Sequence, residues 1–215
     1  MRRLTDMRGF YAADTLDETD LAPTWLAQFE RWLDDAVDAG VPDANAMVMG
    51  TADRAGRPSA RTVLLKLVDE RGFVLYTNLE SRKGREAGAN PAASLVFPWT
   101  ALHRQVVITG AVERVADAEA DAYFAARPHG SKLGALASPQ SQPIMSRAVL
   151  DQARAQLARR YPEGSRVPRP RHWGGLRVVP DSVEFWQGRP DRLHDRLRFR
   201  LADDRVTWVV ERLAP

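Results

Sequence analysis

Arg192, His194 and Arg196 stand two residues apart in the stretch EFWQGRPDRLHDR, Glu184 to Arg196. In a strand, alternate side chains share a face. These three would then line up, with Leu193 and Asp195 turned the other way. Three potentially cationic groups in a row repel one another, so the row persists where water solvates it or where an anion rests on it. Trp186 can wall a flat ring, the arginines supply fixed charge, and His194 can donate a hydrogen bond or move a proton.

Four further stretches carry basic or polar groups suited to a ligand. In RTVLLK, Arg61 and Lys66 bracket an apolar run. Five residues apart, they fall on opposite faces of a regular strand. Either a bulge re-aims one of them, or both faces are used, as at a subunit interface. In YTNLESRKGREAG, Ser81 is a good N-cap, and Arg82 and Lys83 begin the helix that follows. Cations at a helix N-terminus are unfavourable. An anion held by the free amides and the side chains would resolve the conflict, and Glu80 could relieve part of it without a ligand. Gln105 can both donate to and accept from the edge of a heterocycle, or serve as a plain strand residue. Tyr123 and Arg127 are four apart, on one helical face, and Ser131 begins the next short helix; the alternative is a cap beside a surface arginine.

The elements that must position these groups are legible as periodicities. Leu21 to Val37 reads as an amphipathic helix burying Trp25, Phe29, Trp32, Leu33 and Val37. Strand-like runs follow at 46–53, 59–69, 72–78, 93–99 and 104–115, separated by turn residues. Helices are expected over Asp117–Arg127 and Ser146–Tyr161, each stopped by a proline. RVVPDSVEFWQG, RLHDRLRFRL and VTWVVERL read as closing strands. The expectation is an α+β fold, mainly β: a barrel or strongly curved antiparallel sheet with peripheral helices. Residues 1–20 read as an N-terminal segment and 21–215 as one domain.

The chain has 215 residues, enough for a substantial core. It has no cysteine, which excludes disulfides, thiolate nucleophiles and iron–sulfur ligation. Its four histidines have no metal-ligand spacing, so no metal is expected. No apolar run could cross a bilayer, and MRRLTDMRGF lacks a signal's apolar region, so a cytoplasmic location is expected. A pI near 9.6 raises the question of nucleic acid. The net charge is only +3, however, from 31 basic and 28 acidic residues. Local arginine clusters of this kind suit small anions better than a polyanion.

Taken together, RTVLLK, GFVLYTNLESRK, NPAASLVFPW, RQV, YFAARP, QS, WGG, EFWQG, RLHDR and the terminal RLAP resemble the pyridoxine/pyridoxamine 5′-phosphate oxidases, in the family's order over nearly the whole chain. The resemblance implies an FMN-binding split β-barrel, homodimeric, with flavin sites built from both subunits. It places FMN contacts on Arg61, Thr62, Val63, Leu64, Leu65, Lys66, Tyr76, Thr77, Arg82, Lys83, Gln105, Gln140, Ser141, Trp186 and Arg196. The substrate phosphate falls to Lys66, Tyr123, Arg127 and Ser131. Arg192, Leu193 and His194 match the stretch that holds the substrate ring, with Arg192 and His194 in the catalytic role. Arg8 and Tyr11 match, more loosely, a segment that covers bound substrate.

The chemistry so implied is hydride transfer from C4′ of pyridoxine or pyridoxamine 5′-phosphate to FMN. It gives pyridoxal 5′-phosphate, and O2 then takes the electrons as H2O2. Two departures stand in SKLGAL: Lys132 and Leu136 replace a glutamine and a tryptophan common in relatives. Rival readings are another FMN split-barrel oxidoreductase, which would lack RLHDR and YFAARP, and a non-catalytic pyridoxal-phosphate-binding protein.

Overall fold

The computed structural model describes residues 14–215, so Arg8 and Tyr11 lie outside the described residues. Strand-forming runs give β1 (Ala46–Ala52), β2 (Pro58–Leu64), β3 (Leu67–Asp69), β4 (Gly72–Asn78), β5 (Ala92–Trp99), β6 (Arg104–Arg114), β7 (Trp173–Gln187), β8 (Asp195–Leu201) and β9 (Trp208–Arg212). All pair antiparallel in the order β2-β1-β5-β6-β7-β4-β3, with β8 and then β9 added beside β7.

The two ends of that order, β2 and β3, are consecutive in the chain. Leu64 pairs with Ala46 of β1, while Leu67 pairs with Val74 of β4. Between them, the Leu65 N–H donates to Asn45 O and the Lys66 N–H to Val74 O, both at 2.9 Å. SARTVLLKLVD is therefore not one strand but two, broken at Leu65-Lys66 where the chain passes from one edge of the sheet to the other. That crossing curls the sheet into a barrel.

β7 splits the barrel at its other side. β6 pairs with β7 from Leu176 to Gln187, but β7 shares its opposite edge between two partners. Residues 173–178 pair with β4 and residues 182–187 with β8. The change of partner falls at a bulge, where Thr109 faces Ser182 and Gly110 faces Pro180, with Asp181 left over. Thr109 Oγ1 donates to Asp181 Oδ1 at 2.7 Å. Pro180 has no N–H to give a ladder, which suits a bulge. Gly110 lies so close to the Val179 carbonyl that any Cβ would collide with it.

Five α-helices surround the described sheet: α1 (Trp25–Asp38), α2 (Arg82–Ala89), α3 (Asp117–Ala126), α4 (His129–Ala137) and α5 (Arg147–Arg160). α1 starts later than its apolar spacing suggests, because Thr24 accepts from the Ala27 N–H and caps it. It buries Trp25, Phe29, Trp32 and Ala36, while Val37, expected inside, is 59% exposed. Phe29 meets Phe73 and Phe97 edge-on at 5.0 Å, and Trp32 meets Phe185 at 5.3 Å. Each such ring contributes roughly 2–3 kcal/mol through burial. A second, smaller core gathers Phe124, Leu133, Val167 and Trp173 under α3 and α4.

The RLHDRLRFRL strand begins only at Asp195. Pro190–Arg192 form a 3-10 turn in which Asp191 and Arg192 have φ of 56° and 62°. Pro190 donates nothing to a ladder and presets a turn. Arg192 and His194 therefore do not share a strand face with Arg196.

Candidate functional site

A cavity of about 720 Å³ opens where the β2–β3 crossing, β4, α2 and the α3–α4 corner meet. Thr62, Val63, Leu64, Lys66, Tyr76, Thr77, Lys83, Tyr123, Arg127, Ser131 and Gln140 all line it. Leu65, whose side chain is turned into the core, does not. The break in RTVLLK settles which way the strand is used: Lys66 reaches the cavity, while Arg61 points to a network beside it.

Among the described residues, three cations line this space and no carboxylate does. Lys83 Nζ donates to Gln140 Oε1 at 2.8 Å and to Ser81 Oγ at 3.3 Å, both neutral acceptors. Burial pushes its ammonium down from 10.5 to about 8, and nearby Arg61 adds to the effect. Arg127 lies at the end of α3, not within it. The residue before a proline is driven out of helical geometry, and Arg127 is extended (φ −68°, ψ 149°). The expectation that Tyr123 and Arg127 reach one place holds, but through this break rather than through a shared helical face. The Arg127 guanidinium rests 4.8 Å above the Trp173 ring, and its Nη1 is buried with no hydrogen-bond partner. Burial lowers its pKa, against a smaller opposing effect of Tyr123.

The rings beneath are a stack. Tyr76 and Tyr123 lie 3.9 Å apart at 4°, and Trp173 lies 5.5 Å from Tyr76 at 6°. Burial raises both tyrosine hydroxyl pKa values, keeping them neutral donors. Ser131 sits inside α4 rather than at its start, since the helix begins at His129 behind Pro128.

Arg61 and Arg82 meet a buried carboxylate next door. Arg82 Nε bonds Glu86 Oε1 at 2.7 Å, and Arg61 Nη2 approaches Glu86 Oε2 at 3.4 Å. Arg61 also donates to Met49 O, Thr51 Oγ1 and Ser59 Oγ. Burial alone would raise the Glu86 pKa, but hydrogen bonds from Ser59, Thr51 and Arg82 outweigh it and hold the group at about 2. The charge conflict expected at the start of α2 is thus relieved for Arg82 by Glu86, not Glu80, and is left open for Lys83.

The remaining expected residues gather elsewhere, around the far end of β7. Gln105 pairs with Trp186 across β6 and β7, and Trp186 pairs with Arg196 across β7 and β8. The His194 ring lies 4.6 Å from that of Trp186. The Arg189 N–H donates to His194 Nδ1 at 3.0 Å. A backbone amide can only donate, so Nδ1 carries a lone pair and the neutral ring holds its proton on Nε2. Arg196 grips Glu184 through two bonds of 2.8 and 3.1 Å and donates to Ala214 O at 2.8 Å. Arg192 and Leu193 are exposed beside them. Ser141, with φ of 71°, is exposed next to Gln140. Trp173 lines the cavity and Trp186 lies thirteen residues further along the same strand. At about 3.3 Å per residue, this separates the two groups by roughly 40 Å of strand.

Sequence reasoning missed Trp173, Asn78 and Ser138 in the cavity wall. WGG was visible as a motif, but nothing in its spacing aims Trp173 at Tyr76. The two departures are accommodated. Lys132 Nζ donates to Ala125 O at 2.7 Å, satisfying the end of α3, and Leu136 packs on the smaller core.

Comparison with known proteins fits this architecture. Residues 33–179 match the family model described as pyridoxamine 5′-phosphate oxidase, and residues 173–215 match the pyridoxine 5′-phosphate oxidase C-terminal dimerisation region. Proteins named pyridoxine/pyridoxamine 5′-phosphate oxidase are 60% identical in Salinispora arenicola, over 98% of this chain and 95% of that one, and 52% identical in Cupriavidus necator, over the full length of both. The solved structure of PhzG from Burkholderia lata, in complex with tetrahydrophenazine-1-carboxylic acid, superposes with a TM-score of 0.87 at 31% identity, covering 94% of this chain and 99% of that one. An FMN-binding, pyridoxamine 5′-phosphate oxidase-related protein from Nostoc punctiforme shares the fold, with a TM-score of 0.71 at 17% identity over 91% of this chain and all of that one. The chain belongs to the pyridoxamine 5′-phosphate oxidase family.

Proposed function

We propose that this chain oxidises pyridoxine 5′-phosphate and pyridoxamine 5′-phosphate to pyridoxal 5′-phosphate, using FMN, with O2 as acceptor and H2O2 as by-product. The observation that carries the reading is a cavity lined by Lys66, Lys83 and Arg127 with no carboxylate among the described residues, in which a buried guanidinium nitrogen lacks a partner among them. Leaving such a group unsatisfied costs about 1–3 kcal/mol or more, which a bound phosphate removes.

The donor set fits a flavin mononucleotide and a second phosphate ester. Lys83, with Arg61 and Arg82 beside it, would hold the flavin phosphate; Thr62–Leu64 and Gln140 would meet the ring. When bound there, FMN would supply a hydride acceptor for the substrate's C4′ carbon, with O2 as the final electron acceptor. Arg127, Ser131, Tyr123 and Lys66 would bind the substrate phosphate. Their work is positioning and charge neutralisation. Arg192 and His194 would orient the pyridine ring, His194 through the Nε2–H that its bond to the Arg189 amide leaves in place.

Roughly 40 Å of β7 separates Trp186 from the cavity, so one flavin is best served by the cavity of one subunit and the Trp186–Arg196 cluster of its partner. Our reading is therefore of a homodimer with flavin at the interface, which the match to a C-terminal dimerisation region supports. Residues 14–18 are tied to β8 and β9, with the Leu16 N–H on Asp195 and Arg212 on Glu18. Arg8 and Tyr11, which the family resemblance assigns to covering bound substrate, lie outside the described residues. The reading is of a cytoplasmic enzyme, since phosphorylated substrates do not cross membranes unaided.

The test is an anaerobic flavin spectrum of the FMN-loaded protein before and after adding pyridoxine 5′-phosphate. Bleaching restored by air is expected. A band unmoved by either phosphorylated substrate would leave the fold standing and remove the activity.

A further inference from the structure

α3 carries Tyr123 and leads into Arg127, yet its own start is weakly secured: Ala116 precedes it and no side chain caps it. Glu119 approaches Arg71 and Arg177 at 3.8 and 3.9 Å, and the closer tie is Arg169, in the proline-bearing connection before β7. Its Nε bonds Asp121 Oδ1 at 2.5 Å and its Nη2 bonds Asp117 Oδ1 at 2.9 Å, two carboxylates one turn apart on α3. Its Nη1 donates to Trp173 O at 2.6 Å. The arginine side chain is only 13% exposed, while the two carboxylates are 62% and 73% exposed. One planar fork therefore fixes α3 against the first residue of β7.

Those two elements supply the rings on which Arg127 rests. Tyr123 stacks on Tyr76 at 3.9 Å, and Trp173 lies parallel to Tyr123 at 6.0 Å. The guanidinium of Arg127 sits over Trp173. A shift of α3 along β7 would move Tyr123 and Arg127 relative to Trp173 and to each other.

We propose that Arg169 is a positioning residue: it sets the register of α3 on β7 and thereby the geometry of the anion pocket formed by Arg127 and Tyr123. The claim rests on the reading of that pocket as a phosphate site. Exposed ion pairs add little to stability, whereas displacing a binding group by a fraction of an ångström weakens binding steeply. Arg169 should thus matter more for affinity than for folding.

The test is Arg169→Gln in the flavin-loaded enzyme, with Arg169→Lys and Asp121→Asn beside it. Expected for Arg169→Gln is a KM for pyridoxine 5′-phosphate raised about tenfold, equivalent to about 1.4 kcal/mol. Its kcat and flavin content should change less than about twofold, the pattern of lost ground-state binding. The lysine variant should recover part of the loss, and Asp121→Asn should show a smaller rise. The Kd for inorganic phosphate, measured calorimetrically on the holoenzyme, should rise in parallel. That readout needs no turnover, so a wild type that binds phosphate but oxidises nothing would sink the activity and not the positioning role. An unchanged KM and phosphate Kd in folded Arg169→Gln, or in Asp121→Asn should the glutamine variant not fold, would overturn the proposal. So would a parallel fall in kcat, flavin content and melting temperature.

Discussion

Two arginine-rich regions of this molecule look alike in sequence and differ in what their charges face. Each arginine on β8 and β9 has an acid. Arg196 holds Glu184, Arg198 and Arg200 share Glu211, and Arg212 bonds Glu18 and Asp195. At the cavity, Lys66, Lys83 and Arg127 line a wall that has no carboxylate among the described residues, and one buried nitrogen has no partner among them. The first arrangement is complete as it stands and fastens the C-terminal strands and residues 14–18 together. The second is complete only with an anion. Composition cannot separate the two, since the residue types are the same; the partner of each charge does.

Arg127→Met tests that difference most severely. It keeps an apolar side chain beside Trp173 and removes the half-buried guanidinium that rests on the ring. A phosphate held by a charged, forked donor is worth about 1.5–3 kcal/mol per bond. kcat/KM for pyridoxine 5′-phosphate should therefore fall by about 10² or more. Melting temperature should not fall, because a desolvated, unpaired charge has been removed. A variant that loses stability and retains activity would mean that Arg127 is architectural and would abolish the contrast.

Arg196 is where the two regions meet, because it is both paired and expected at the flavin. Arg196→Ala should reduce flavin retention and also lower stability, since it leaves half-buried Glu184 without its partner; losses of about 2–4 kcal/mol are typical of such a broken pair. Arg192→Ala, at an exposed turn position, should reduce turnover with flavin content and melting temperature intact. Flavin absorbance, steady-state rates and thermal unfolding of both variants decide it, and identical behaviour would erase the division between substrate and cofactor residues.

The sequence showed the barrel's strands and helices well because hydrophobic periodicity is a local signal. It also named most of the cavity's polar residues, through the motifs of a family. It failed where tertiary pairing overrides period. RTVLLK and its continuation read as one strand, yet pairing with β1 up to Leu64 and with β4 from Leu67 breaks it, and that break aims Lys66 at the cavity. RLHDR read as a strand too, and the left-handed backbone at Asp191 and Arg192 has no glycine to announce it. Trp173 and Arg169 were invisible because their roles depend on α3 lying against β7, a contact between segments some fifty residues apart in sequence.

The finest test of the contrast is pH. Lys83 is the one cavity cation whose burial brings its proton loss to about 8. A bound phosphate favours the charged ammonium, so flavin affinity should be flat below about pH 8 and fall as pH rises beyond it. Lys83→Arg, which stays charged throughout, should flatten that fall even if its affinity is lower at neutral pH. The linkage to folding has the opposite sign. The folded pKa lies below the ordinary lysine value, so the unfolded chain binds more protons between about 8 and 10.5, and the apoprotein's own stability gains from Lys83 as pH climbs through that window. Flavin titrations and apoprotein melting curves at pH 7, 8 and 9 should therefore move in opposite directions if Lys83 faces only neutral groups until an anion arrives. Parallel falls would show that Lys83 already has a negative partner, as the arginines of β8 and β9 do.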